Sequence, residues 1–128
     1  MKTRYNIRAI IHDKQGHCLS LASNSYTKSH PLQAHFAKLA GQPNKIYLHA
    51  EILACIRAAL NPANKPYEIS VSRIKDNKYY SAKPCPICVL ALEAFGIKLV
   101  NYTTDKGFIY GKTVEELKNE YRSDYTND

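Results

Sequence analysis

Apolar and polar residues alternate at the start of the chain, where Tyr5, Ile7, Ala9 and Ile11 recur with a period of two. That spacing predicts a strand over residues 5–11 with those four side chains on one face. His12-Asp13-Lys14-Gln15-Gly16 reads as a turn, and residues 18–23 return as a second strand, so the two form a hairpin. Over residues 31–40 the period becomes helical: Leu32, Phe36, Leu39 and Ala40 share a stripe, Pro31 suits a first turn and Gly41 can cap the end. The clearest helical run extends from His49 to Leu60, through Ile52, Cys55, Ile56 and Ala59, until Asn61-Pro62 stops it.

A third strand fits residues 67–74. Pro86 can open a helix that runs to Phe95 with Gly96 as its cap, and residues 97–103 are β-branched and apolar enough for a fourth strand. Asp105-Lys106-Gly107 turns into a short fifth strand near 108–110, which makes the last two strands antiparallel. Thr113-Val114-Glu115-Glu116 is a capping box opening a final short helix. Residues 122–128 are polar and expected to fray. Strands alternating with helices predict an α/β fold, and residues 1–128 read as one domain without repeats or linkers.

Composition changes this picture little. Of the 128 residues, 45% are apolar and 23% charged, close to the average for folded domains, which argues against disorder. After Lys2 and Arg4 the only nearby apolar run is Ala9-Ile10-Ile11, too short for a secretory signal. No stretch approaches the roughly 18 apolar residues of a membrane span. The expectation is a soluble, cytoplasmic protein with no membrane partner; a homo-oligomer is left open.

Charge is uneven. Residues 1–112 carry a net +10 and residues 113–128 a net −3. A basic body suits an anionic ligand such as a nucleotide or a nucleic acid, and equally a solubilising surface. Tyr26, Tyr47, Tyr79 and Tyr80 could stack on bases, or could fill core and rim. Among the four cysteines, Cys18 and Cys55 stand among apolar residues and read as reduced core fillers, whereas Cys85-Pro86-Ile87-Cys88 reads as a metal or redox pair.

His49-Ala50-Glu51 begins one predicted helix and Pro84-Cys85-Pro86-Ile87-Cys88 the next. Together they offer one imidazole and two thiols, donors that Zn²⁺ favours, with a fourth position left for water. Helix N-termini favour thiolates over thiols. Glu51 follows His49 too closely to be a second ligand on the same stripe, and could instead move protons near the metal. Taken singly, His49 could be a helix cap, Glu51 a partner of the helix dipole, and the cysteines a redox pair or half of a structural zinc site.

In combination, H-x-E followed by P-C-x-x-C resembles the cytidine and deoxycytidylate deaminase superfamily, which includes tRNA adenosine and polynucleotide cytosine deaminases. The resemblance spans nearly the whole chain. It implies a cytidine-deaminase-like three-layer α/β/α fold with a five-stranded mixed sheet. It implies one Zn²⁺ held by His49, Cys85 and Cys88, Glu51 as the catalytic proton shuttle, and substrate contacts from Asn24, Ala50 and Pro84. The implied activity is that of a hydrolase acting on a C–N bond of a cyclic amidine, converting cytosine to uracil in a nucleotide of the CMP or dCMP type. A deaminase of cytosine or adenine in single-stranded DNA or RNA is the alternative; a non-catalytic zinc-stabilised binding module is a third reading. The chain departs from the family in lacking a helix before the first strand, a carboxylate beside Asn24, and a Glu where Lys83 stands.

Overall fold

The structure, a computed structural model, describes residues 6–25, 27–45 and 47–125. Tyr5 and Tyr26, expected in a strand and on a stacking surface respectively, lie outside the described residues.

The first hairpin forms as its alternation requires. β1 (Asn6–His12) pairs antiparallel with β2 (Cys18–Ser23), and Ala9 and Ile11 are fully buried on one face. The turn between them is tied by Asp13, whose carboxylate accepts from the backbone amides of Gln15 and His17. β3 (Glu68–Lys75) pairs with β1 along its whole length and runs parallel to β5 (Leu99–Thr104). β6 (Gly107–Thr113) completes the order β2-β1-β3-β5-β6 and is antiparallel to β5, as the turn at Asp105 predicts.

A sixth strand was not expected. β4 (Lys78–Tyr80) folds back on β3 across Asp76 and Asn77, whose φ values of 52° and 61° are those of a two-residue hairpin turn. Asp-Asn lacks the glycine that usually marks such a turn, and three residues show no alternation. Thr103 joins the pieces where β5 parts from β3: its hydroxyl accepts from the Arg73 amide and donates to the Tyr80 carbonyl, and its own carbonyl accepts from Ala82. This junction leads the chain from β4 into the loop before Cys85.

The helices are α1 (Pro31–Leu39), α2 (Ala50–Ala59), α3 (Pro86–Ala94), α4 (Val114–Glu120) and α5 (Arg122–Tyr125). Ala50, Ala54 and Ala58 recur every four residues along α2, a row of small side chains that lets the helix lie close on β1 and β2. Ser20 and Arg57 lock that contact, donating to the carbonyls of Ala54 and Leu21 at 2.8 and 2.7 Å. Val89 and Leu92 of α3 and Val114 and Leu117 of α4 bury against the same sheet face. Fully burying such an aliphatic side chain contributes about 1.5–3 kcal/mol.

The expected α/β/α sandwich therefore needs correction. α2, α3 and α4 share one sheet face and α1 packs on α2 and α3 through Phe36 and Ala37, while Arg8, Ile10 and Leu21 on the opposite face join no buried cluster. Four smaller expectations also change. Leu39 and Leu60 are exposed, because Phe36 and Ala40, buried as expected, share their stripe with Gln33 and Ala37, and Cys55, buried as expected, shares its stripe with Ala54 and Ala58. Cys18 is exposed on β2, although Cys55 is buried as expected. The expected fraying from residue 122 begins too early: residues 122–125 form α5, and the Tyr125 hydroxyl donates to the Pro86 carbonyl at 2.7 Å. No helix of the described residues is long and apolar enough to cross a membrane.

Candidate metal centre

The first turns of α2 and α3 carry the two motifs. His49 is the N-cap of α2 (φ −78°, ψ 150°) and Cys85 the N-cap of α3 (φ −75°, ψ 169°). An N-cap side chain ordinarily accepts from an amide of the first turn, yet neither of these caps its helix. They face each other, with Cys85 Sγ 3.7 Å from His49 Nδ1. Cys88 is the third residue of α3, where a side chain comes back beside the N-cap as in a capping box, and its Sγ lies 3.2 Å from the same nitrogen.

The three donor atoms lie within 4.8 Å of one another, and the group could hold a metal ion. Bonds of about 2.3 Å to sulfur and 2.0–2.1 Å to nitrogen at tetrahedral angles place donors roughly 3.5 Å apart, between the two distances observed. Donor chemistry and spacing thus fit Zn²⁺. No other cluster of three His, Cys, Asp or Glu side chains among the described residues has this spacing.

The two thiols are not equivalent. The hydrogen bond from Cys88 holds Cys85 well below the ordinary thiol range against the opposing effect of burial, with His49 adding to the shift. Cys88 is pushed well above that range by the thiolate beside it and by burial. Burial lowers the pKa of His49, but its hydrogen bond to Cys85 and the charges of Cys85 and Glu51 outweigh that and raise it. Glu51, only 7% exposed, is raised by burial and then by the Cys85 charge, and its carboxyl is within hydrogen-bonding reach of Cys88. Cys55, pushed up to about 12 chiefly by burial, is an inert thiol.

Two supports hold the ligands from outside. Gln33 of α1 is fully buried; its Nε2 donates to the Lys45 carbonyl at 3.0 Å and its Oε1 accepts from the His49 amide at 3.2 Å. On the other side, the Tyr121 hydroxyl donates to the Pro84 carbonyl at 2.9 Å, and Tyr125 holds Pro86. Gln33→Leu should lower stability by about 1–3 kcal/mol, because it orphans a partly buried carbonyl and amide. It should also weaken metal binding by about tenfold or more, as loss of a group orienting a ligand does. Chemical denaturation and competition with a chromogenic chelator measure the two effects; unchanged metal affinity would separate Gln33 from the site.

Beside the three donors a cavity of about 310 Å³ is lined by Asn24, Ala50, Glu51, Arg73 and Lys83, with His49 and Cys85 at its metal end. Asn24 is fixed by a reciprocal pair of bonds with Ile7, its amide donating to the Ile7 carbonyl and its Oδ1 accepting from the Ile7 amide. Pro84 does not line this cavity; its carbonyl is taken by Tyr121. Lys83 is ion-paired with Glu120, which also pairs with Lys112. The acidic stretch after residue 113 therefore neutralises part of the basic body.

Sequence reading missed Gln33, Lys45 and Arg73. Arg73 carries a signal, since a cation follows Ile69 and Val71 on the buried face of a strand. Lys45, in a loop, carries none. No protein-family model matches the chain, and no curated protein matches it.

Proposed function

We propose that the protein is a zinc-dependent hydrolytic deaminase that converts cytosine to uracil in a nucleotide of the CMP or dCMP type. The observation that carries this reading is the pairing of an N,S,S donor set at two uncapped helix starts with a buried carboxylate, Glu51, on the wall of the adjoining cavity. A purely structural metal site has no use for that carboxylate. The sheet order and the antiparallel last pair also support reading the fold as cytidine-deaminase-like.

His49, Cys85 and Cys88 would hold the metal, which when bound supplies a water of lowered pKa as the nucleophile. Glu51 would take a proton from the attacking water and give it to the ring nitrogen beside the attacked carbon, then carry the second proton, from the new hydroxyl, to the amino group that leaves as ammonia. Burial suits it to this task, because a carboxyl of raised pKa both accepts and donates near neutral pH. Asn24 Nδ2, which donates to none of the described residues, would contact the sugar. Ala50 offers a first-turn backbone amide with no intrahelical acceptor.

A second reading, single-stranded nucleic acid as substrate, draws on exposed Tyr47 beside a further cavity that adjoins this one. Ammonia release by zinc-loaded protein from cytidine, CMP, dCMP and cytosine-containing oligonucleotides tests the assignment. Release from none of them would leave the binding-module reading instead.

A further inference from the structure

The cavity at the metal centre does not end there. A second one, about 570 Å³, is lined by Ser25, Asn44 and Tyr47 and shares Ile7, Asn24, Lys45, His49 and Arg73 with the first. Five shared residues make the two cavities one cleft, with Lys45 and Arg73 at the junction. We infer that Lys45 and Arg73 form a phosphate subsite, so that the cleft takes a phosphorylated nucleoside in preference to a bare one. This rests on the deaminase reading for the identity of the base.

Charge is the first argument. Among the described residues lining either cavity the cations are Lys45, Arg73 and Lys83, and the only carboxylate is Glu51, at the metal end. Glu120 holds Lys83, whereas Lys45 is in no ion pair among the described residues.

Placement is the second. Arg73 stands opposite Ile7 on one side and Tyr80 on the other, in the middle of the sheet, so its backbone is rigid. Lys45 is anchored at both backbone groups, its amide donating to Gln42 and its carbonyl accepting from Gln33. A guanidinium fork and an ammonium at a fixed junction suit a phosphate's several oxygens. The wall shared by the two cavities also carries His49 and Asn24, so Lys45 and Arg73 stand near both the metal donors and the asparagine that would hold the sugar, where a phosphate on that sugar would fall. That phosphate could belong to a free nucleotide or to a strand; the chemistry is shared.

The test compares zinc-loaded protein with Lys45→Gln and Arg73→Gln, using cytidine, its 5′-monophosphate and a cytosine-containing single-stranded oligonucleotide. Calorimetry with uridine and its 5′-monophosphate measures binding without turnover. Each substitution should lower the preference for phosphate-bearing over bare ligand, in kcat/KM and in binding alike, by about tenfold, the effect of one charged hydrogen bond. Circular dichroism checks that Arg73→Gln folds, and Lys45→Gln, on an exposed loop, keeps the test decisive if it does not. A fall confined to the monophosphate assigns the site to a free nucleotide. A parallel fall with the oligonucleotide, whose affinity then drops with salt at roughly 0.7 per phosphate contacted, assigns it to a strand. If no ligand releases ammonia the deaminase reading fails, while a monophosphate preference that Lys45→Gln abolishes still establishes the subsite. An unchanged preference in Lys45→Gln, or tighter binding of uridine than of its monophosphate, overturns it.

Discussion

Purified protein should hold about one Zn²⁺ per chain, and Cys85→Ala and Cys88→Ala should each lose it. Three donors converge and no fourth protein donor joins them among the described residues, so removing one leaves two, too few for tight binding. Metal analysis after gel filtration measures the effect; a stoichiometry near two, or full retention in both variants, would sink the assignment. Loading also requires both sulfurs as thiolates, and Cys88 keeps its proton because the Cys85 thiolate lies beside it. Binding therefore expels a proton, and affinity should rise with pH. Chelator competition should show tighter binding at pH 8 than at pH 6.

Glu51→Gln should keep fold and zinc yet reduce turnover by about 10²–10⁴-fold, the range for loss of a general acid–base group. The amide fills nearly the same volume on the cavity wall, and with no charge to bury it costs the fold little. Loss of metal in this variant would make Glu51 a ligand. Turnover near that of the unchanged protein would remove it from the mechanism.

The parts of this molecule legible beforehand are those with local causes. Alternation at Ile7, Ala9 and Ile11, the proline at position 86 and the capping box at Thr113 each act within a few residues, and β1, α3 and α4 form where those signals stand. The donors were legible because two short motifs each place a side chain at a helix start. What escaped depends on partners far along the chain. β4 exists because the free end of β3 needs a neighbour where β5 diverges, and nothing within Lys78–Tyr80 announces it. Gln33 looks like a polar interruption of α1 until Lys45 and His49 are seen on either side of its amide. Which sheet face the helices choose is likewise absent from periodicity, since α2 and α4 each present an apolar face whichever side they pack on, and α3 is apolar nearly all round.

The tyrosines that hold the loop around Cys85 bear on how the centre assembles during synthesis. A ribosome delivers His49, Cys85 and Cys88 well before Tyr121 and Tyr125, and at about 5–20 residues per second the interval is roughly a few seconds. In that interval every metal donor exists, but the carbonyls of Pro84 and Pro86 still lack the hydroxyls that later fix them. The order of translation thus makes the three candidate donors before the segment that fixes the loop around them.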